Sequence, residues 1–260
     1  MAYMEHNRVL EKMRAGEFAF GFQLRTRSPL IAELAGFLGF DFLYIETEHF
    51  ACNDETVEYL VRAAQLSGIT PWIRVTNVDP ENVGHLLDIG VQGVIAPHVD
   101  TPEEARRLVD AVKFAPLGHR GHAMVSRAAE FGTFLKPAEY LEAANRNCSA
   151  IAMIESGKGV ENLEAILDQG IEIIRVGRGD LSLDTGFFGK QKDPRFEDML
   201  RHIRAVAKAK GVPCGTSATD VETTLYYKSL GFTFVNLVSD LEYLRRTIPP
   251  LLQSAREAVK

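Results

Sequence analysis

Three apolar stretches of this sequence lead into side chains that could bind a cation or move a proton. The stretch "FDFLYIETEHF" ends with Glu46, Glu48 and His49, "SAIAMIES" ends with Glu155, and "IIRVGRGDLS" carries Asp180. Carboxylate oxygens are the ligands that hard divalent cations prefer, so Glu155 and Asp180 predict a site for Mg²⁺, Mn²⁺ or Co²⁺. Such a pair leaves coordination positions open for a substrate and for water.

Polar residues also end other apolar runs. Arg74, in "TPWIRV", could pair with an oxyanion or a keto oxygen, and His49 could transfer a proton, because histidine is a common acid and base in enzymes. Gln23 and Ser217 end two more runs, and we interpret His98, in "APHVD", as structural. Each residue type has a structural alternative, because carboxylates cap helices, arginines form salt bridges and histidines hold hydrogen bonds. The two candidate metal-binding carboxylates, Arg74 and His49 lie at matching ends of four different strand runs, and finding all four there favours a functional site.

Eight short runs of apolar, β-branched or aromatic residues recur along the chain with helical patterns between them. The runs are "FAFGFQL", "FDFLYIE", "TPWIRV", "GVIAPHV", "SAIAMIE", "IEIIRVG", "VPCGTSA" and "FTFVNLV". Each is apolar throughout, as expected for parallel strands that are buried on both faces. We predict an α/β fold in which residues 1–260 form a single (β/α)8 TIM barrel, with its chemistry at the carboxyl ends of the strands. An open doubly wound sheet is the alternative, but no G-x-G-x-x-G motif follows the first run.

The segments between these runs carry signals that begin and end helices. "TPEEARRLVDAVKF" predicts a capping box of Thr101 and Glu104, and "TDVETTLYYKSLG" predicts another of Thr219 and Glu222. Glycines stand where a helix should end before the next run, at positions 39, 68, 90, 170, 211 and 231. The longest irregular stretch, residues 114–135, has a length that is often functional in a compact domain.

The composition argues against several classes of protein. The formal net charge is −6, and the basic residues are scattered, so neither nucleic acid nor an anionic membrane is an expected partner. The three cysteines, at positions 52, 148 and 214, lack the spacing of a disulfide framework or a zinc knuckle, which favours a cytoplasmic location. The start of the chain lacks the apolar region of a signal peptide, and no apolar run approaches membrane-spanning length.

Several spaced motifs, in a fixed order, resemble the HpcH/HpaI aldolases. These are metal-dependent class II pyruvate aldolases related to the citrate-lyase beta family. The similarity runs from "GFQLRTRSPLIAELAGFLGFDFLYIETEH" through "IRVTNVDPENVGHLLDIGVQGVIAPHV", "EEARRLVDAVKFAPLGHRG", "AMIES" and "VGRGDLSLDTG" to the eighth run, which is nearly the whole chain.

The resemblance implies roles for individual residues. Glu155 and Asp180 match the two carboxylates that bind the metal. His49 matches the histidine that acts as acid and base through a metal-bound water. Glu48 matches the glutamate that precedes this histidine and contacts the residues of the site without touching the substrate. Arg74 matches the arginine that holds the pyruvate oxygen and stabilises the enolate.

The resemblance also implies contacts between subunits and with the substrate carboxylate. Asp88 matches an aspartate that in relatives reaches a neighbouring subunit's histidine, although the sequence alone indicates a solvated charge at a helix end. The amides of Gly179, Asp180 and Leu181 match the site for the substrate carboxylate, which suits the anion affinity of a helix start. Family members are commonly hexamers with exchanged C-terminal helices, so residues 241–258 are expected to pack on another subunit.

Two residues depart from the family pattern. The family usually has aspartate where this chain has Glu46, which adds one methylene to a carboxylate expected near the metal waters. It usually has proline where this chain has Arg178, and that arginine could alter the carboxylate pocket, recruit a second acidic group or point outward. With Gln23, Arg178 completes the candidate substrate-binding residues.

The expected function is reversible aldol cleavage of a 4-hydroxy-2-oxo acid to pyruvate and an aldehyde through an enolate. A second enzymatic interpretation keeps the enolate and uses oxaloacetate, as a synthase or decarboxylase, or a CoA ester, as a lyase. A non-catalytic barrel that binds a keto acid is the alternative from another class. No Schiff-base lysine is assigned, because the strand ends supply none and Lys158 lies beyond the fifth run.

Overall fold

The computed structural model describes residue 4 and residues 6–133 and 136–260. In these residues, eight parallel strands form a closed barrel, in which each strand pairs with the next and the eighth pairs with the first. The strands are β1 (Ala19–Leu24), β2 (Phe42–Glu46), β3 (Thr70–Arg74), β4 (Gly93–Ala96), β5 (Ser149–Ile154), β6 (Ile173–Val176), β7 (Cys214–Ser217) and β8 (Phe234–Ser239). The predicted TIM barrel and all eight strand runs are confirmed.

Helices precede the barrel, surround it and follow it. They are α1 (Arg8–Arg14), α2 (Pro29–Phe37), α3 (Asp54–Leu66), α4 (Pro80–Ile89), α5 (Pro102–Val112), α6 (Pro137–Asn147), α7 (Gly157–Glu161), α8 (Leu163–Leu167), α9 (Arg178–Asp184), α10 (Pro194–Ala209), α11 (Val221–Ser229) and α12 (Asp240–Ala258). A short 3₁₀ helix spans Glu130–Gly132. No helix of the described ranges combines the length and the apolar character that crossing a membrane requires.

Local chemistry sets the ends of these helices largely as predicted. The capping box of Thr101 and Glu104 begins α5, and the six glycines named above all have positive φ angles. The second capping box was predicted wrongly by one residue. The N-cap of α11 is Asp220, whose carboxylate accepts a hydrogen bond from the Thr223 amide at 2.8 Å. A carboxylate is a stronger acceptor than the Thr219 hydroxyl, which instead donates to Asp220.

The irregular segment after α5 follows the prediction as far as it is described. Between α5 and α6 the described residues contain the 3₁₀ helix and turns, and residues 134 and 135 of the predicted stretch lie outside the described ranges.

The lower barrel interior is filled by three large aromatic side chains. Phe42, Trp72 and Phe234 are fully buried, and the Phe42 and Trp72 rings stack with centroids 4.2 Å apart. Each ring lies over a glycine on a neighbouring strand, through the pairs Gly21–Phe42, Gly93–Trp72 and Gly215–Phe234. Val9 and Leu10 of α1 join this cluster. The glycines make room for the rings, so this layer is closed and the open space lies above it, toward the carboxyl ends.

We predict that Gly93→Ala destabilises the barrel. A Cβ atom at residue 93 would lie 2.2 Å from Trp72 Cδ1, and the stacked indole cannot move without disturbing Phe42. The expected loss is about 1–3 kcal/mol of unfolding free energy, measured by chemical denaturation. The matched control is Gly84→Ala in α4, where nothing lies within 4 Å of the added carbon, and a gain of about 0.5–1 kcal/mol is expected. Equal midpoints for Gly93→Ala and the wild type would contradict this packing.

Candidate active site at the carboxyl ends of the strands

The carboxyl ends of β2 to β5 bring several of the predicted residues into one connected group. Arg74, at the end of β3, contacts Glu46 and Glu48 from β2 and the loop after it. Glu48 Oε1 lies 3.5 Å from His98 Nε2, and His98 Nδ1 lies 3.2 Å from Glu155 Oε1. The chain of contacts therefore runs from Glu46 to Glu155 across the mouth of the barrel.

Glu46 and Arg74 form a buried clamp. Arg74 Nε lies 3.1 and 2.9 Å from the two Glu46 oxygens, and Arg74 Nη2 also contacts Glu46 Oε2. The Glu46 carboxylate accepts further hydrogen bonds from Gln23 Nε2 at 3.1 Å and from the amides of Glu48 and His49 at 2.9 and 3.4 Å. Burial alone would raise the pKa of Glu46, but Arg74 and the two amides hold that pKa below its usual value. Because its oxygens are occupied by these donors, Glu46 orients Arg74.

The free edge of the Arg74 guanidinium reaches Glu48. Arg74 Nη1 lies 2.6 Å from Glu48 Oε2, and the same oxygen lies 3.7 Å from His49 Nε2. Burial would lower the pKa of Arg74, but Tyr44, Glu46 and Glu48 raise it, so the guanidinium stays charged. The His49 side chain is 61% exposed at the mouth, where a substrate could reach it.

His98, which we interpret as structural from the sequence, joins this group through contacts with Glu48 and Glu155. Its φ angle is +51°, a left-handed conformation that is uncommon for a residue other than glycine. This conformation lets its amide donate to Glu155 Oε1 at 2.8 Å while its ring contacts the same oxygen. The signal in the sequence was its position directly after an apolar run, the same signal that identified Glu155.

Glu155 is a buried carboxylate with one oxygen left free. Its Oε2 has no hydrogen-bond partner among the described residues. Burial raises the pKa of Glu155, the His98 amide and ring oppose that rise, and the charge of Asp180 adds to it. Gly177 makes room for this oxygen, because a Cβ atom at residue 177 would lie 2.4 Å from it.

These features fit a hard divalent cation. The donor set consists of one buried, unpartnered carboxylate oxygen and the exposed carboxylate of Asp180 in α9, close enough to raise the pKa of Glu155. Within the described ranges, no group of three or more His, Cys, Asp or Glu side chains could enclose a metal ion. A cation at Glu155 and Asp180 would therefore depend on substrate and water for its remaining ligands.

The segment from Arg178 to Leu181 begins α9 beside these carboxylates. The Arg178 guanidinium lies over the Tyr227 ring, 4.8 Å from the ring centroid, and donates a hydrogen bond to the Ser217 carbonyl at 3.0 Å. Burial lowers the pKa of Arg178. The Leu181 amide donates to the Gly177 carbonyl at 2.9 Å, so Gly179 and Asp180 supply the amides closer to the start of the helix.

Asp88 lies apart from this group, at the carboxyl end of α4. Its carboxylate accepts a hydrogen bond at 2.7 Å from Arg120, a buried residue of the loop before α6. Both residues line a cavity of about 1040 Å³ between α4, α5 and that loop. The structure therefore gives Asp88 a partner within its own chain, in place of the solvated charge that the sequence alone indicated.

One charged residue inside the barrel was missed by the sequence analysis. Arg175 lies in the middle of β6 and is only 6% exposed. Its Nη2 donates to Ser217 Oγ at 2.8 Å, Nη1 lies 3.6 Å from Met153 Sδ, and its guanidinium lies over the Tyr44 ring. The only available signal was an arginine within an apolar strand run, whereas the candidate residues predicted from the sequence lie at strand ends.

Comparisons with known proteins agree with this geometry. The family model "HpcH/HpaI aldolase/citrate lyase" matches residues 20–247. The chain is 33% identical over 252 residues to a 5-keto-4-deoxy-D-glucarate aldolase of Salmonella paratyphi A, covering 96% of this chain and 97% of the relative.

Solved structures show the same similarity. An HpcH/HpaI aldolase from Desulfitobacterium hafniense DCB-2 superposes with a TM-score of 0.91 at 27% identity, covering 97% of this chain and 98% of the other. The citrate synthase SbnG superposes with a TM-score of 0.87 at 28% identity, covering 97% and 99%. The chain therefore belongs to the HpcH/HpaI aldolase/citrate lyase family.

Proposed function

We propose that this protein is a divalent-cation-dependent aldolase, a carbon–carbon lyase that reversibly cleaves a 4-hydroxy-2-oxo acid to pyruvate and an aldehyde. The observation that carries the proposal is the buried, unpartnered oxygen of Glu155, which lies across the mouth from a fixed arginine and near a second carboxylate. Family membership and 33% identity to a named aldolase support the reaction class.

Glu155 and Asp180 would hold the cation, and carboxylate ligands favour Mg²⁺, Mn²⁺ or Co²⁺ over Zn²⁺. When bound, the cation supplies Lewis acidity to the 2-oxo group of the substrate. The amides of Gly179 and Asp180, at the start of α9, would receive the substrate carboxylate, with Leu181 packed beneath them.

Arg74 stabilises the charge that develops as the C3–C4 bond breaks. The electrons of that bond move toward the 2-oxo oxygen, and a guanidinium that is already fixed by Glu46 and Glu48 needs little reorganisation to neutralise them. Arg74 is the group in this chain best placed for that task, because it is buried and remains charged.

His49, at the mouth of the barrel, is the group that transfers protons in this proposal. Cleavage removes the 4-hydroxyl proton, leaving an aldehyde, and pyruvate forms when C3 takes up a proton. His49 is exposed at the mouth beside Glu48, which suits a group that exchanges protons with substrate and water. Asp88 would join it only from a neighbouring subunit, through the face that includes Arg120.

A homo-oligomer is part of the proposal, with a hexamer and exchanged C-terminal helices as the family arrangement. The support is that α12 leaves large apolar side chains exposed along its length. These are Leu241, Tyr243, Leu244, Ile248, Leu251 and Leu252. We propose a cytoplasmic enzyme with a small anionic 2-oxo acid as substrate.

A second candidate keeps the same site and changes the reaction partner. The citrate synthase SbnG is 28% identical to this chain over nearly its full length, which supports a condensation or decarboxylation of oxaloacetate as the alternative. Product analysis by NMR with oxaloacetate and a divalent cation tests this alternative, because a decarboxylase forms pyruvate and CO2 from oxaloacetate alone. With acetyl-CoA added as the second reactant, a citrate synthase forms citrate, which retro-aldol cleavage of a 4-hydroxy-2-oxo acid does not give.

The proposal predicts exchange of deuterium into C3 of pyruvate in heavy water, observed by proton NMR. With Mg²⁺ or Mn²⁺ the wild type should exchange these protons, and EDTA should abolish the exchange. Glu155→Ala should slow it on the order of a hundredfold or more, because the cation and its charge stabilisation are lost. Glu161→Ala, an exposed carboxylate of α7, is the matched control. Wild-type exchange that persists in EDTA, or covalent trapping of pyruvate by borohydride, would contradict the proposal.

We also predict that Gly177→Ala weakens cation binding. The new methyl would press on Glu155 Oε2, so Mn²⁺ affinity, measured by electron paramagnetic resonance titration, should fall by about tenfold or more. At Gly157 an added Cβ meets its nearest neighbour at an ordinary 3.5 Å, so Gly157→Ala should keep the wild-type affinity. Identical affinities for both variants would remove Glu155 from the proposed ligands.

A third prediction concerns the clamp that orients Arg74. Glu46→Gln should cost about 1–3 kcal/mol of unfolding free energy at neutral pH, because the buried guanidinium loses the carboxylate at its Nε and Nη2 and keeps only Glu48 at its Nη1. The pKa of Glu46 is lowered in the folded state, so its stabilisation is present above the unfolded value of about 4.3 and is lost as the pH falls through the lower folded value. The difference in unfolding free energy between the wild type and Glu46→Gln should therefore become smaller in acid.

The control for this prediction is Glu58→Gln. Glu58 pairs with Arg62 on the exposed face of α3, so its loss should change the unfolding free energy by less than about 0.5 kcal/mol. Denaturation curves over a range of pH provide the measurement, and a gap for Glu46→Gln that does not depend on pH would be inconsistent with an ionised Glu46.

A further inference from the structure

Arg175 places a second guanidinium below the mouth of the barrel, and none of the steps proposed above uses it. It shares two neighbours with Arg74. Met153 Sδ lies 3.7 Å from Arg74 Nη1 and 3.6 Å from Arg175 Nη1. The centroid of the Tyr44 ring lies 6.0 Å from Arg74 Cζ and 4.9 Å from Arg175 Cζ. Two like charges are therefore held close together inside the barrel.

The two guanidiniums differ in their partners. Arg74 is bound by the carboxylates of Glu46 and Glu48. Arg175 is 6% exposed and donates a hydrogen bond to the neutral hydroxyl of Ser217, and among the described residues no carboxylate pairs with it and no acceptor lies at its Nε. Because arginine keeps its charge in proteins, Arg175 is a buried cation without an anion.

Arg178 adds to the positive charge on this side of the mouth. It donates a hydrogen bond to the Ser217 carbonyl, whereas Arg175 donates to the Ser217 hydroxyl, so one serine is held by two arginines. Burial lowers the pKa of Arg178, and the charge of Arg175 contributes to the same shift. Within the described ranges Arg178 also has no carboxylate partner, so the start of α9 lies beside two guanidiniums that no carboxylate compensates.

Stability alone gives no reason for a charge at residue 175. The contacts of Arg175 with the Tyr44 ring and the Ser217 hydroxyl offset only part of the cost of taking a guanidinium out of water. An apolar side chain at a buried site of this kind is often neutral or stabilising. A function for the charge is therefore to be sought in the site above it.

Arg175 lies one layer of the barrel below the proposed cation site. It pairs in register with Met153, and the next residues on the same faces of the two strands are Gly177 and Glu155. Glu155 Oε2 occupies the space beside Gly177. Two residues of a parallel strand span about 6.6 Å. At such a distance, in a poorly polarisable interior, a guanidinium repels a cation and attracts an anion appreciably.

We propose that the uncompensated charge of Arg175 couples the binding of the two ligands of this site, weakening the binding of the divalent cation alone and strengthening the binding of the anionic 2-oxo acid and its enolate. A cation that enters alone meets the repulsion of Arg175. An anionic ligand compensates the cation and Arg175 together, so the complete complex is favoured over a site that holds the cation only. Arg175 acts from beneath the mouth without touching the substrate, and this role rests on the cation-dependent aldolase function proposed above.

Two affinities, measured separately, test this coupling. Mn²⁺ binding in the absence of other ligands is followed by electron paramagnetic resonance titration. Oxalate binding to the Mn²⁺-saturated protein is followed by calorimetry, because oxalate has the two negative charges and the planar shape of the pyruvate enolate and does not react. Arg175→Met should bind Mn²⁺ about threefold to tenfold more tightly than the wild type and oxalate on the order of tenfold more weakly.

Three further variants serve as controls. Arg175→Lys keeps the charge and should keep both affinities within about threefold of the wild type. Arg175→Gln is neutral but keeps a donor for Ser217, so it should show the same opposite changes as Arg175→Met. Arg204→Met removes a half-buried arginine of α10 that donates to the Gly231 carbonyl and, in the part of the chain that the structure describes, has no carboxylate partner. Both of its affinities should equal those of the wild type.

The opposite signs distinguish the charge of Arg175 from a contribution to packing, because a disturbed site would bind both ligands more weakly. A denaturation midpoint at or above that of the wild type is expected for Arg175→Met and shows that the variant is folded. Any pattern other than tighter Mn²⁺ binding with weaker oxalate binding in the two neutral variants would overturn the inference.

The result is separable from the fate of the aldolase function. If the wild type binds Mn²⁺ and oxalate but does not exchange the C3 protons of pyruvate, the aldolase function fails, and the affinities of the Arg175 variants still decide the role of this residue. If exchange occurs and the two affinities do not move in opposite directions, the inference about Arg175 fails alone. A wild type that binds no Mn²⁺ would overturn both.

Discussion

The mouth of this barrel depends on keeping the Arg74 guanidinium charged while it is buried. An uncompensated buried charge costs several kcal/mol, and Glu46 supplies the compensation through both of its oxygens. The same carboxylate accepts hydrogen bonds from the amides of Glu48 and His49. The group that compensates the charge of Arg74 therefore also fixes the loop that carries these two candidate site residues. Glu46, with its extra methylene, is therefore part of the framework that positions the site.

The closed aromatic layer beneath makes that arrangement electrostatically effective. Phe42, Trp72 and Phe234 fill the lower barrel, and Tyr44 lies fully buried between them and the mouth, where burial raises its pKa to about 12. Charges interact more strongly where the surroundings are less polarisable, so this packed apolar layer strengthens the interactions of Arg74. The pairing of each ring with a glycine is thus linked to the function above it as well as to stability.

The sequence predicted what depends on local chemistry and missed what depends on three-dimensional approach. Strand runs, proline starts and glycine ends are local, and the barrel follows from them. Glu46 could be predicted to clamp Arg74 only if the register of β2 and β3, in which these two residues lie opposite each other, were known. His98 follows an apolar run and Arg175 lies within one, but neither pattern indicates the left-handed backbone of the first or the contacts of the second inside the barrel. Asp88 could be named as a candidate site residue only through the family resemblance. Nothing near it in the chain indicates its contact with Arg120.

Two buried glutamates at one rim illustrate how the number of partners decides a role. Glu46 accepts hydrogen bonds from a guanidinium, an amide side chain and two backbone amides, and its pKa is lowered. Glu155 shares one oxygen with His98 and keeps the other free beside Gly177, and its pKa is raised. A carboxylate whose oxygens are satisfied stabilises the fold, whereas one held unsatisfied retains affinity for a cation from solution. Because both residues are fixed by backbone amides and neighbouring strands, the barrel separates the framework role of Glu46 from the cation-binding role proposed for Glu155, although the side chains are chemically identical.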